Sequence, residues 1–125
     1  MAGNSLPVIL YVDDEEINLE LFRYTFNRYF NVIIAVSGYE GLRIIENDKD
    51  ICFIVSDMKM PGMNGLEFIK KVKDLRYNIP CMLLSGYQKS DEAVKALQSG
   101  IIIDYMMKPF NKDMLLQLIQ NAITA

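Results

Sequence analysis

The sequence predicts an α/β fold, a five-stranded parallel sheet with helices on both faces, and three observations predict it. Five short apolar runs alternate with five segments of helical periodicity along the 125 residues. The runs are apolar at consecutive positions, as in Ile51-Cys52-Phe53-Ile54-Val55, so each strand needs cover above and below. Right-handed crossovers between parallel strands place the intervening helices on those two faces. No linker, repeat or low-complexity tract interrupts the pattern, and residues 1–125 read as one domain.

The elements follow in order. Pro7-Val8-Ile9-Leu10-Tyr11-Val12 reads as the first strand, ending in four acids, Asp13 to Glu16. Acids there also suit a helix start, where the macrodipole favours negative charge. A helix is expected from about Glu15 to Tyr29, with Leu19, Phe22, Phe26 and Phe30 making its apolar face and Asn31 breaking it. Val32 to Val36 is the second strand. Ser37 and Glu40 have the spacing of a capping box opening a short helix that turns Gly41, Leu42 and Ile45 inward. The polar loop Asn47-Asp48-Lys49-Asp50 leads into the third strand, which runs to Asp57 and the turn Met60-Pro61-Gly62-Met63. Asn64 caps a third helix carrying Phe68, Ile69, Val72 and Leu75 on one side. Pro80 opens the fourth strand, Cys81 to Leu84. Ser90 begins a fourth helix with Ala93, Val94 and Leu97 at core spacing, closed by Gly100. Ile101-Ile102-Ile103 are expected to start the fifth strand, which ends Tyr105-Met106-Met107-Lys108-Pro109. Asn111 caps a last helix with Leu115, Leu118, Ile119 and Ala122 facing in.

Composition removes several classes of function. A net charge of -3, with no basic run, argues against direct nucleic-acid binding, which needs phosphate neutralisation. No apolar run is long enough to span a bilayer, and Met1-Ala2-Gly3-Asn4-Ser5 has neither the basic start nor the apolar core of a signal peptide. A cytoplasmic location is expected. Cys52 and Cys81 lie within apolar runs and read as buried free thiols. The chain has no histidine. That excludes a Ser-His-Asp mechanism, a histidine zinc site and a phosphohistidine donor within it. Carboxylates, a hydroxyl or an amine are left to do the chemistry.

Four strands end on a hydrophilic group that the sheet does not need: Asp13 and Asp14, Asp57, Ser85 and Lys108. In open parallel sheets the carboxyl ends of the strands line the ligand crevice, where the strand order reverses. With the flavodoxin-like order 2-1-3-4-5, the first and third strands are neighbours there. The acid pair then faces Asp57, with Ser85 and Lys108 on the far side. Three crowded carboxylates repel one another by about 4 kcal/mol per pair at 4 Å and an intermediate dielectric. A proton or a hard divalent cation would offset this. Mg²⁺ accepts one or two carboxylates together with water and a phosphate. A carboxylate is also a nucleophile toward phosphorus, and a lysine and a hydroxyl suit the remaining phosphoryl oxygens.

These residues carry a family resemblance over nearly the whole length. Val12-Asp13-Asp14-Glu15, Ser56 to Gly65 (SDMKMPGMNG), Leu84-Ser85-Gly86 and Asp104 to Phe110 (DYMMKPF) together resemble the receiver domain of two-component response regulators. The resemblance implies that Asp57 is the phosphoacceptor. It implies that Asp13, Asp14, Asp57 and the backbone carbonyl of Lys59 hold Mg²⁺, Asp14 more directly than Asp13. It implies Ser85 as switch hydroxyl, Tyr105 as switch aromatic and Lys108 as phosphoryl anchor, with a cis peptide before Pro109. A signalling module is expected rather than an enzyme, one that assists its own phosphorylation and dephosphorylation. The implied partners are a sensor histidine kinase or a phosphotransfer protein, with a covalently linked output domain left open.

Three departures from the family pattern matter, and one of them, Asn64 where an acid often follows the turn, is expected to be harmless because asparagine also caps helices. Ile103 stands where many dimerising receivers have an acid, and Met114 to Ala122 contain no lysine or arginine, so a charge-paired dimer is not expected. A phosphorylation-dependent dimer through Ile102 or Ile103 stays open. Lys59 and Tyr87, each two residues past a site residue, are bulky enough to hinder hydrolysis of a phosphoryl group. Two rival readings are a receiver-like interaction module that is never phosphorylated and a small aspartyl-phosphate phosphatase. The first would be marked by loss of an acid or of the lysine; the second would need an acid where Lys59 stands. A nucleotide binder would need a glycine-rich loop after the first strand, which is absent.

Overall fold

In the computed structural model, which describes residues 5–76 and 78–124, five strands alternate with five helices. Residues 1–4, which carry most of the amino-terminal targeting reading, lie outside the described set. The elements are β1 (Val8–Val12), α1 (Glu16–Phe26), β2 (Asn31–Ala35), α2 (Gly38–Asn47), β3 (Ile51–Asp57), α3 (Gly65–Leu75), β4 (Cys81–Ser85), α4 (Asp91–Ser99), β5 (Asp104–Met107) and α5 (Lys112–Thr124). The strands pair in parallel in the order β2-β1-β3-β4-β5. Because β1 sits beside β3, with Val12 opposite Ser56, the residues just beyond both strands meet at one edge.

Strand alternation divides the core into two layers. Leu10, Val12, Ile54 and Leu83 face one way and are covered by Ile45 of α2, Phe68, Ile69 and Val72 of α3, and Ala93 and Ala96 of α4. Ile9, Tyr11, Phe53, Val55, Met82 and Leu84 face the other way, under Leu19, Phe22 and Phe26 of α1 and Leu115 and Ile119 of α5. Every residue of β4 is buried, as a strand sandwiched between two helical layers must be.

Four of the five helix starts are capped by their N-cap side chain; Glu15, ahead of α1, makes no such bond. Asn64 Oδ1 accepts the Glu67 N–H while Glu67 Oε1 accepts the Asn64 N–H, a full reciprocal box. Ser90 and Asn111 each accept one N–H of the following turn. The box expected at Ser37 forms only on one side. Ser37 Oγ accepts from Glu40 N, but Glu40 reaches one residue further back, to Val36 N.

The elements depart from the sequence reading at four places. The first helix ends at Phe26 rather than Tyr29, because Tyr29 N and Phe30 N both bond to Phe26 O in a tight turn that tucks Phe30 into the core. Asn31 opens β2 instead of merely breaking the helix, pairing with Val8. Leu75 and Val94 are exposed, and Ala96 takes the core position expected of Val94. Ile101 to Ile103 are not strand. Gly100, at φ 82°, ends α4; Ile102 N then bonds to Ala96 O and Ile103 N to Cys81 O, so this segment links helix to sheet. Ile102 is buried beneath the sheet edge, which explains its apolar character, while Ile103 remains half exposed. Of the two isoleucines considered for a dimer contact, only Ile103 reaches the surface.

Candidate functional site

The chain turns sharply after β3 and presses α3 back onto the strand end. Gly62, at φ 79°, takes the left-handed turn conformation. Gly65 N donates to Met58 O, and a β-carbon on Gly65 would fall 2.1 Å from the Asp57 carbonyl oxygen. Only glycine permits this approach, and it holds the end of β3, with Asp57, rigidly at the sheet edge.

At that edge the structure brings the acids together. One carboxylate oxygen from each of Asp13, Asp14 and Asp57 lies within 4.8 Å of the others. Asp13 is fully buried, Asp57 nearly so, and Asp14 is exposed. Lys108, following β5 and preceding a cis peptide to Pro109, places Nζ 2.9 Å from Asp13 Oδ2 and 3.6 Å from Asp57 Oδ2. Ser85, at the end of β4, is fully buried. The crevice above these groups, ≈ 300 Å³, is lined by Asp14, Glu15, Asn18, Asp57, Lys59, Gly86, Tyr87 and Lys108. A larger hollow of ≈ 870 Å³ opens elsewhere, around Pro7, Phe30 and Cys52, but among the described residues its charged lining is Arg23 and Asp50. Converging charge distinguishes the smaller crevice.

The electrostatics follow from burial and charge count. Burial pushes the Asp57 carboxyl above its ordinary range. Lys108 pulls it back, Asp13 pushes it up again, the Met58 N–H lowers it and Asp14 raises it. Three carboxylates share one ammonium, so the cluster carries excess negative charge when all are ionised. An all-oxygen donor set with surplus charge, partly open to solvent through Asp14, fits Mg²⁺. The Cys81 thiol, at the other end of β4, is pushed by burial up to about 12 and is inert; both cysteines are free.

Two expected site residues are engaged with the β4–α4 loop. Ser85 Oγ accepts the Tyr87 N–H at 3.1 Å, and the Tyr105 hydroxyl donates to the carbonyls of Tyr87 and Gln88. Tyr105 is therefore already turned inward and buried. Lys59 Nζ sits 4.8 Å from the centroid of the Tyr87 ring, across the crevice mouth.

One participant escaped the sequence reading. Tyr11 counted there as a strand residue, yet its hydroxyl donates to Asp13 Oδ2 at 2.7 Å. The available signal was the spacing of two, which puts Tyr11 and Asp13 on the same side of an extended chain. Burial and the Asp13 charge push the Tyr11 phenol far above its usual value, so it stays a donor.

Comparison with known proteins agrees with this geometry. Residues 9–120 match the family model of the response regulator receiver domain. The chain is 30% identical over 117 residues to the hydrogenase transcriptional regulatory protein HoxA of Cupriavidus necator, covering 94% of this chain and 24% of that protein. It is 32% identical to the transcriptional regulatory protein GlrR of Escherichia coli, covering 92% of this chain and 26% of that one. The chain thus spans about a quarter of the length of these relatives. A solved receiver domain from Clostridium thermocellum superposes with a TM-score of 0.88 at 31% identity, covering 95% of each chain. No helix among the described residues is long and apolar enough to cross a membrane. With the sheet order, the acid cluster and the family match in agreement, the chain belongs to the response regulator receiver domain family of two-component systems.

Proposed function

We propose that this chain is a phosphoacceptor switch in which Asp57 takes a phosphoryl group from a phosphohistidine on a sensor histidine kinase or phosphotransfer protein. The observation that carries the reading is the convergence of three carboxylates and Lys108 on one strand edge, with Asp57 opening into the crevice. An Asp57 carboxylate oxygen attacks phosphorus. The donor's N–P bond breaks as the acyl phosphate O–P bond forms, and the electron pair leaves with the imidazole. Asp14 and Asp57, with the Lys59 carbonyl, would hold Mg²⁺. Asp13 contributes at longer range, because its oxygens already accept from Tyr11, Lys108 and Glu15 N. When bound, the ion neutralises charge on the phosphoryl oxygens.

Lys108 lies close enough to Asp57 to turn its ammonium from Asp13 to a phosphoryl oxygen. Ser85 Oγ accepts from Tyr87 N, so its own O–H is the group that donates to another. That contact would draw in the β4–α4 loop and favour the inward Tyr105 over an outward one, altering the surface of α4, β5 and α5. A swing from 1:99 to 99:1 requires phosphorylation to favour one arrangement by ~5.5 kcal/mol. Lys59 over Tyr87 shields the mouth against the hydrolytic water and lengthens the signal.

Incubation with acetyl phosphate and Mg²⁺ tests the reading. One phosphoryl mass should be added to the wild-type chain and none to Asp57→Asn. An unmodified wild type, or a modified Asp57→Asn, overturns it. A Lys108→Ala chain that is modified but whose α4–β5–α5 surface still responds as in wild type contradicts the anchoring role.

A further inference from the structure

The Asp13 carboxylate is fully buried, and its charge is met by three donors. Glu15 N serves Oδ1 at 3.0 Å; Tyr11 Oη and Lys108 Nζ both serve Oδ2, at 2.7 and 2.9 Å. Of these, only Lys108 is asked to move in the phosphoryl-transfer scheme. Its departure toward a phosphoryl oxygen would leave Oδ2 with Tyr11 alone. A buried carboxylate oxygen with no donor is costly, so the donor that remains decides how readily the ammonium leaves.

Tyr11 is built to remain. Its ring is buried and stacked on Phe22, at 4.0 Å between centroids and 10° between planes, and Phe22 is packed in turn against Phe26 and Phe110. With the ring fixed, the hydroxyl stays at Asp13 whatever Lys108 does. We propose that Tyr11 is a positioning residue for phosphoryl transfer: its hydroxyl backs up Lys108 at Asp13, freeing the ammonium to serve the phosphoryl group. The inference rests on Asp57 being the phosphoacceptor, and it concerns a residue that touches neither Asp57 nor the incoming group.

Two measurements test it, one without any phosphodonor. In the first, the chain with chelator is unfolded in urea as wild type, Tyr11→Phe, Lys108→Met and the double variant. Lys108→Met keeps the apolar stem. Loss of Lys108 should lower the folding equilibrium constant by about tenfold more when Tyr11 is Phe, because Asp13 Oδ2 then has no donor. Additive losses overturn the proposal. This arm is informative even if Asp57 is never phosphorylated, so its failure is distinguishable from failure of the phosphoacceptor reading.

In the second, adduct formation with acetyl phosphate and Mg²⁺ is timed by intact mass. Tyr11→Phe should react about tenfold more slowly than wild type, or slower still. Phe30→Leu, which weakens the same core layer where Phe30 packs against Phe26 and leaves the Tyr11–Phe22 stack in place, should react within about twofold of wild type despite its lower stability. An undiminished rate in Tyr11→Phe, or an equal slowing in Phe30→Leu, assigns Tyr11 a packing role and overturns the proposal.

Discussion

Replacing the central carboxylate, Asp57→Asn, should stabilise the metal-free protein. Asp13 and Asp14 each present an oxygen within 4.8 Å of Asp57. At an effective dielectric near 20, the repulsion from buried Asp13 is at least about 3.5 kcal/mol, the value at the 4.8 Å limit. Exposed Asp14 is screened toward the water limit and adds roughly 1 kcal/mol. Lys108 Nζ, 3.6 Å away, returns about 4.6 kcal/mol of attraction on the same scale. The Coulomb contributions therefore nearly cancel. What is left is the cost of burying a carboxylate that is only 7% exposed, about 1–2 kcal/mol for a group that keeps partners. Asparagine has the same shape and no charge. Asp57→Asn should gain that amount at neutral pH, a rise in Tm of about 3–8 °C for a chain of this size.

The pH dependence fixes the sign. Burial raises the folded-state carboxyl above its ordinary value, so between the ordinary and raised values the folded chain holds a proton that the unfolded chain has lost. Stability then falls as pH rises through that window, and the penalty is fully present above it. The advantage of Asp57→Asn should be largest near neutrality and shrink on acidification toward about pH 4. Urea unfolding with chelator at several pH values measures it. Mg²⁺ should reverse the order. Wild type overtakes the variant once the ion reaches about 5–30 times its dissociation constant, because the variant has lost a ligand. A metal-free Asp57→Asn less stable than wild type at neutral pH, or an advantage that grows on acidification, would refute the charge accounting.

Three further outcomes follow from the same geometry. The Lys59→Asn, Tyr87→Ala double variant removes a solvent-facing cation–π contact of about 0.5–1 kcal/mol and should speed loss of the phosphoryl group about two- to fivefold; intact-mass time courses check it, and an unchanged lifetime counts against shielding. Gly65→Ala sets a β-carbon 2.1 Å from the Asp57 carbonyl oxygen and should cost about 3 kcal/mol or more, read as a fall in the urea midpoint with unchanged m-value. Asp13→Asn and Asp14→Asn should separate: the first costs about 2–3 kcal/mol of metal-free stability by taking the buried charge from Tyr11 and Lys108, whose other carboxylate, Asp57, lies farther off at 3.6 Å, while the second is within about 0.5 kcal/mol but weakens Mg²⁺ binding at least about tenfold, measured by calorimetry.

The site was legible in the sequence because a parallel sheet opens all its strand ends at one edge. Asp57, Ser85 and Lys108 needed only to be seen as polar residues terminating apolar runs, and the order β2-β1-β3-β4-β5 then set Asp13 and Asp14 against Asp57. What was not legible was set by contacts between elements. Ile101-Ile102-Ile103 read as strand because three β-branched residues in a row satisfy strand preference. Burial of Ile102 below α4 accounts for the pattern equally well, and hydrogen bonds to Ala96 and Cys81 carry it instead. Tyr11 was hidden by the opposite effect. An aromatic residue in an apolar strand looks like core, and its ring is core; only the hydroxyl, aimed at a residue two positions on, belongs to the site. Tyr105 and Tyr87 meet from elements eighteen residues apart, a separation no local pattern reports.

The division of labour among the three acids explains how one ammonium can serve so crowded a cluster. Asp13 spends its charge internally: with Tyr11, Lys108 and Glu15 N as donors, it anchors Lys108 within reach of Asp57 rather than competing for a cation. Asp14 holds its charge outward, where solvent screens it. Asp57 lies between them, buried enough to resist ionisation and near enough to Lys108 to be held in the crevice. A buried carboxylate whose stability improves when its charge is matched is physically suited to accepting a cation and then a group that the same cation and ammonium can hold. The instability expected of the metal-free site and the phosphoacceptor role proposed for Asp57 share one origin, a carboxylate buried at the end of β3 whose lost hydration the protein alone does not replace.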